Sequence, residues 1–213
     1  MPASKSALCL ALLCFASATA CSSDAAAPPA PQPGDPSQGT GAADKAGGAC
    51  NVEPKTLNDL SQTHVSECSG IEYSSNPPAG GPHYPTWAAF QTFSFPVPRG
   101  FYVHDLEHGA IVYGYNCTLF PDGCEDEVAK VQAMIDALPA DPKCAGWATP
   151  RRVVLTPDPL LDVRWGVSAW GFSLRAECAD LERFRQFYFN HFALGPENFC
   201  DPGTDFSGMQ PCQ

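Results

Sequence analysis

Basic side chains are scarce in this sequence: 12 Lys and Arg stand against 23 Asp and Glu, a formal net charge of −11 over 213 residues. A surface of that sign repels phosphate backbones and anionic headgroups, so nucleic acid is not an expected partner. Methionine is nearly absent, with three residues in all. Met134 and Met209 form no cluster, which leaves no thioether set for a soft Cu(I) site. There is no Cys-x-x-Cys, so neither a thioredoxin-type redox site nor a zinc ribbon is indicated. Gly-x-Ser-x-Gly is missing, as is a phosphate-cradling loop, and Gly80-Gly81 is too hemmed in by proline to open a helix over a phosphate. The apolar run near the start, Ala7–Phe15, is too short to span a membrane.

That run follows Lys5 and precedes the small residues Ala16-Ser17-Ala18-Thr19-Ala20 and then Cys21. The order of charged, apolar and small residues is that of a secretory signal over residues 1–20. Small residues ending at a cysteine also resemble the bacterial lipobox. This implies lipidation of Cys21 and a membrane link through the acyl anchor, although Ala18 stands where leucine is commoner; plain secretion is the alternative. Residues 21–49 are rich in Ala, Pro and Gly and nearly devoid of large apolar side chains. Such a segment cannot bury enough surface to offset its ordering entropy and reads as a disordered tether. The folded domain is then 50–213, in an oxidising compartment of the cell envelope, such as the periplasm.

Eleven cysteines are present. Cys9 and Cys14 fall in the signal and Cys21 takes the lipid, leaving eight, an even set that reads as disulfides formed after export. Loop proximity suggests Cys117–Cys124 across a turn-rich link and Cys200–Cys212 around the tail. Cys50–Cys68 at the entry and Cys144–Cys178 between helical loops complete the expected set.

Within 50–213, apolar residues at helical spacing predict one helix over 125–138 (Val128, Val131, Ile135, Leu138), ended by Pro139. A second is predicted over 179–192 (Leu181, Phe184, Tyr188, Phe192). Strands are expected at 109–115, 152–156 and 163–174, with shorter ones at 70–74 and 101–104. In 163–174 the alternation changes phase, which calls for a bulge or bend near Ser168–Ala169. The fold class that follows is α+β: a two-layer domain, a mostly antiparallel sheet with two helices. Residues 76–98 carry six prolines and several aromatics and read as a long ordered loop that wraps the domain or forms a site.

Chemistry concentrates at His104-Asp105-Leu106-Glu107-His108, with His83 not far upstream. If 104–108 is a helical turn, the two imidazoles share a face. If the segment is a hairpin, they stand opposite each other at about 4.5–5.5 Å between Cβ atoms. Either arrangement can chelate. With His83 as third ligand and Glu107 as ligand or base, the set suits Zn²⁺ or Cu²⁺. The same residues spell the inverted zincin signature, in which Glu107 activates a metal-bound water of a hydrolase. Against both stands a plain packing role, in a structural or partner-binding envelope domain. His64 reads as a surface residue and His191 as half-buried packing on the second helix. The sequon-like Asn116-Cys117-Thr118 carries no meaning in a bacterial lipoprotein without a glycosylation system.

Several motifs recur in the order of one family: Pro77-Pro78-Ala79-Gly80-Gly81-Pro82-His83-Tyr84-Pro85, Trp87-Ala88, Val103-His104-Asp105-Leu106-Glu107-His108-Gly109, Val154-Leu155-Thr156-Pro157, Ser168-Ala169-Trp170-Gly171 and Gly195-Pro196-Glu197. In these the chain resembles the bacterial DUF3105 family. The resemblance implies an envelope protein and brings no reaction with it. It marks His83, Tyr84, His104, Glu107, His108 and Glu197 as family-like polar positions, with Tyr84 and Glu197 as added ligand-binding residues. Ala79-Gly80 departs from the Thr-Ser pair expected there, so no hydroxyl role is carried over.

Overall fold

The computed structural model describes residues 50–58, 60–209 and 211–212. The expected signal segment 1–20, Cys21 and the tether 21–49 lie outside the described residues. The domain is α+β, built on a five-stranded sheet with the order β1-β5-β4-β2-β3. Its strands are β1 (Val52–Thr56), β2 (Ile111–Tyr115), β3 (Val153–Pro157), β4 (Trp165–Ala169) and β5 (Phe172–Ala176). Its helices are α1 (Arg99–Glu107), α2 (Glu125–Asp136) and α3 (Leu181–His191). All neighbouring strands are antiparallel except β2 and β3. A parallel pair needs a long crossover, and α2 lies within it.

The period-two alternation of the strands assigns their side chains to two faces. On one, Ile111, Tyr113 and Tyr115 of β2 join Trp165 and Val167 of β4 under Val131 and Ile135 of α2 and Phe184, Phe187 and Tyr188 of α3. On the other, Val112 and Val154 meet Phe101, Val103 and Leu106 of α1 and Phe90, Phe93 and Val97 of the proline-rich loop. Both faces are therefore covered, one by the two amphipathic helices and the other by α1 and the loop.

The helix termini follow the expected chemistry. Asp180 caps α3 by accepting a hydrogen bond from the Arg183 N–H at 3.0 Å. Glu125, Asp126 and Glu127 fill the first turn of α2, where negative charge suits the helix dipole. Glu127 Oε2 also accepts from Trp165 Nε1 at 2.9 Å and from the Ala179 N–H at 2.7 Å, tying α2 to the sheet and to the start of α3.

Three expectations are corrected. The segment 163–174 is no bulged strand; the chain reverses at Trp170-Gly171 into an antiparallel hairpin, pairing Trp165 with Ala176 and Ala169 with Phe172. The two turn residues supply the phase change, which leaves Trp165, Val167 and Ala169 on the same face as Phe172, Leu174 and Ala176. Residues 101–104 are helical and belong to α1, while 70–74 forms no strand. Residues Gly100–Glu107 of α1 are all buried, so the helix has no polar stripe by which periodicity could reveal it. Strand β1 was not anticipated; it lies at the sheet edge, where Pro54 is tolerated.

The third correction concerns the cysteines. Cys117 pairs with Cys124 across the turn, but the other pairs are Cys50–Cys178, Cys68–Cys212 and Cys144–Cys200. The expected Cys50–Cys68 and Cys200–Cys212 pairs assumed that neighbours in sequence are neighbours in space, and Cys144–Cys178 that the loop after the first predicted helix meets the one before the second. Instead β1 pairs with β5, which brings the residues before Val52 beside those after Ala176. The tail does not close on itself either: Thr204 bonds to the loop at Trp87 and Ala89. Four such pairs fit an oxidising, extracytoplasmic compartment. No helix among the described residues is long and apolar enough to cross a membrane.

Candidate functional site

Helix α1 lies under the loop, and close approach of the two fixes the site. A Cβ on Gly100 would come within 2.5–2.6 Å of the Tyr84 ring, so only glycine lets that ring lie on the helix. Backbone bonds lock the contact: the Tyr84 N–H donates to the Gly100 carbonyl at 3.0 Å, and the Tyr84 carbonyl accepts from His104 Nδ1 at 2.7 Å. The Tyr84 hydroxyl turns elsewhere, donating to the Ser69 carbonyl. Tyr84 thus serves the site through its backbone.

His83 precedes it and is fully buried. Its Nδ1 bonds to the Gly81 carbonyl at 2.8 Å. A carbonyl can only accept, so Nδ1 of His83 and of His104 carries the proton and each Nε2 presents a lone pair. The His83 backbone pairs with the segment around His64, through Val65 N–H to the His83 carbonyl at 2.8 Å and His83 N–H to the Thr63 carbonyl at 3.1 Å. This short parallel bridge makes His64 a member of the site. Its side chain is 51% exposed, so it forms the solvent edge of a cluster otherwise buried.

The rings of His64, His83 and His104 form a near-equilateral triangle, with centroids 4.7–4.9 Å apart. Glu107 Oε2 lies 2.9 Å from His83 Nε2, 3.9 Å from His104 Nε2 and 4.0 Å from His64 Nε2. One ligand atom from each of these four residues lies within 4.8 Å of the other three. His108, the C-terminal cap of α1, is directed elsewhere: its Nε2 lies 3.0 Å from Glu197 Oε2. His104, His108 and Glu197 form a second such group. Trp87 lies against both His104 and His108, and Phe199 against His108.

Burial sets the charge state. Desolvation lowers the His83 pKa, takes His104 to about 4 and, helped by neighbouring imidazoles, takes His108 to about 3. Desolvation, with Glu197 nearby, raises Glu107 to about 7. Neutral imidazole is the form that binds metal. Asp105, fully buried on α1, is raised well above the usual carboxyl range by desolvation and joins neither group.

Glu197 is half-exposed yet firmly placed. A Cβ on Gly195 would lie 2.3 Å from the Glu107 carbonyl oxygen and 2.4 Å from the Gly109 nitrogen, so the Gly-Pro-Glu segment packs backbone to backbone on the end of α1. The Glu197 N–H donates to the Glu107 carbonyl at 3.0 Å. Arg152, also fully buried, donates to the His108 carbonyl at 2.5 Å, to Asn198 Oδ1, and to Asp141 Oδ2 at 2.7 Å. In the sequence Arg152 stands only as the first residue of an expected strand, with nothing to mark this role.

Of the residues singled out from the sequence, His83, His104 and Glu107 stand together, while His108 and Glu197 form the adjoining pair. His64, taken for a surface residue, belongs to the first group. His191 packs between Phe172 and Phe187, half-buried as its place on α3 suggested. A third group of possible ligand atoms, Asp141, Cys144 and Cys200, offers no free thiol, since the two cysteines are paired. The zincin reading wants a helix running through both histidines, and α1 ends at Glu107.

The fold and site thus define an α+β domain with a buried histidine–carboxylate cluster roofed by a proline-rich loop. The family model described as "Protein of unknown function (DUF3105)" matches residues 64–202, more than half of the chain and every residue of both groups. The chain belongs to the DUF3105 family. No curated protein and no solved structure gives a significant match.

Removing Arg152 strands Asp141 and the His108 carbonyl in the interior. Breaking a buried pair from one side costs about 3–5 kcal/mol. Arg152→Ala is expected to lower stability by that order in urea melts; a loss below about 1 kcal/mol, the range of exposed ion pairs, would contradict the role given to it.

Proposed function

We propose that this protein is an exported bacterial envelope lipoprotein whose DUF3105 domain binds a divalent transition-metal ion at His64, His83, His104 and Glu107. One observation carries the metal reading. His83 Nε2 is buried without a hydrogen-bond partner among the described residues, and it faces Glu107 Oε2 at 2.9 Å. With Nδ1–H committed to Gly81, both facing atoms present lone pairs, and two such atoms sit that close only around a proton or a cation. Three imidazoles converge there, each with a free Nε2 or an exposed edge, and backbone carbonyls hold two of them. A backbone carbonyl that accepts from the far ring nitrogen is what orients a metal-ligating histidine. Imidazole with one carboxylate suits Zn²⁺ or Cu²⁺.

A second reading has one observation in its favour. Glu107 is raised to about 7, so a protonated Glu107 that donates to His83 Nε2 would satisfy the pair without metal. In that case the cluster fastens the loop to α1 in a structural or partner-binding domain. The hydrolytic reading, with Glu107 activating a metal-bound water, draws less support, because α1 does not continue past the motif.

Metal analysis separates the first two. Purified protein exposed to Zn²⁺ and freed of excess by gel filtration is expected to retain the ion and to melt at higher temperature, with both effects lost in His83→Ala and His104→Ala. Retention of no metal, with equal melting in the presence and absence of chelator, would leave only the packing reading. Export and anchoring rest on the signal-like start, the lipobox-like cysteine and the four paired cysteines of the domain. Cys21→Ser is expected to move the protein from the membrane fraction to the soluble fraction of the envelope. An unchanged membrane fraction would refute the acyl anchor.

A further inference from the structure

The two histidine–carboxylate groups share a single residue, His104, and that sharing has a chemical consequence. Nδ1 of His104 is committed to the Tyr84 carbonyl, so its one remaining lone pair, on Nε2, can serve one ion at a time. Six residues contribute donors in all: His64, His83, His104, Glu107, His108 and Glu197. On one octahedral ion with bonds of about 2.1 Å, all six donor atoms would lie within roughly 4.2 Å of one another. They do not: His108 and Glu197 fall outside the first group, and only His104 belongs to both.

We propose that the cluster is a two-ion centre, with one divalent ion on His64, His83 and Glu107 and a second on His104, His108 and Glu197. This rests on the reading that the cluster binds metal. The partition gives each ion two imidazoles and one carboxylate, three protein ligands with a position left open, the pattern of catalytic rather than structural sites. It also keeps the charges even, one carboxylate facing each cation. When a single ion is bound, His104 completes the first set instead.

The second group has support of its own. His108 is 1% exposed, and its Nε2 faces Glu197 Oε2 at 3.0 Å, a buried imidazole set against a carboxylate as His83 is against Glu107. Its ring is oriented by Glu197 and by the faces of Trp87 and Phe199, not by a backbone carbonyl. Glu197 is held by a scaffold more elaborate than a surface glutamate needs. Gly195 seats the loop on α1, Arg152 and Lys143 bond to Asn198, and Cys144–Cys200 fastens the far end. The two groups are neighbours: ring centroids of His83 and His104 are 4.7 Å apart, and those of His104 and His108 are 4.6 Å apart.

The test is a count and a spectrum. Full-length protein is loaded with Cu²⁺, freed of excess by gel filtration, analysed for copper and examined by electron paramagnetic resonance. The expected result is two ions per chain with a magnetically coupled signal. Glu197→Gln, altered at a half-exposed position where folding is not at stake, is expected to fall to one ion with the signal of an isolated Cu²⁺, and His108→Asn to do the same. One isolated ion in the parent protein, unchanged by Glu197→Gln, would overturn the two-ion centre and leave the single-ion reading standing. Two ions that both persist in Glu197→Gln would also overturn it, by placing the second ion elsewhere. No retained copper would overturn both readings.

Discussion

Helix α1 is buried from Gly100 to Glu107, yet its last turn and cap carry His104, Asp105, Glu107 and His108. Burying polar groups without partners costs several kcal/mol apiece, and the helix cannot satisfy these side chains itself. For His104, Glu107 and His108 the surrounding structure supplies partners. The proline-rich loop brings the Tyr84 carbonyl to His104 and carries His83 to Glu107; the Gly195 segment brings Glu197 to His108. Arg152 reaches the same end of the helix from β3's flank and neutralises Asp141 beside it. The cover on this face of the sheet is therefore organised around polar demand as much as around apolar packing.

That organisation explains why the loop is so rich in proline and glycine. Its residues must pass close to α1 with their carbonyls aimed inward, which demands fixed backbone angles and, at Gly100, no side chain on the facing helix. The opposite face follows simpler rules: two amphipathic helices bury one stripe each against Trp165, Tyr113 and their neighbours. The site belongs to the face where local rules are broken, and the Gly-Pro-Glu segment gains its meaning only there.

What the sequence made legible matches this division. Helices α2 and α3 and strands β2 and β3 could be read because each buries one face or runs wholly apolar between turn residues. Helix α1 could not, since a helix buried all round has no period to detect, although the four-residue spacing of His104 and His108 already allowed a helical turn. The clustering of histidines around a carboxylate drew attention to His83, His104, Glu107 and His108, and the resemblance to the family added Glu197. His64 gave no signal: it sits alone in a polar stretch, and only the backbone bridge to His83 brings it in. The Cys50–Cys178 and Cys68–Cys212 pairings were equally hidden, because the first depends on an edge strand and the second on the path of the tail. Both are long-range facts that spacing does not encode.

The central claim is that His83 and His104 are held as Nδ1–H tautomers whose Nε2 lone pairs converge beside Glu107. Long-range ¹⁵N–¹H correlation spectra of the metal-free protein, labelled at histidine, report that directly. The account predicts a protonated Nδ1 and an unprotonated Nε2 for both residues, with the Nε2 resonances shifting when Zn²⁺ is added. A protonated Nε2 on either ring, indifferent to added metal, would contradict it.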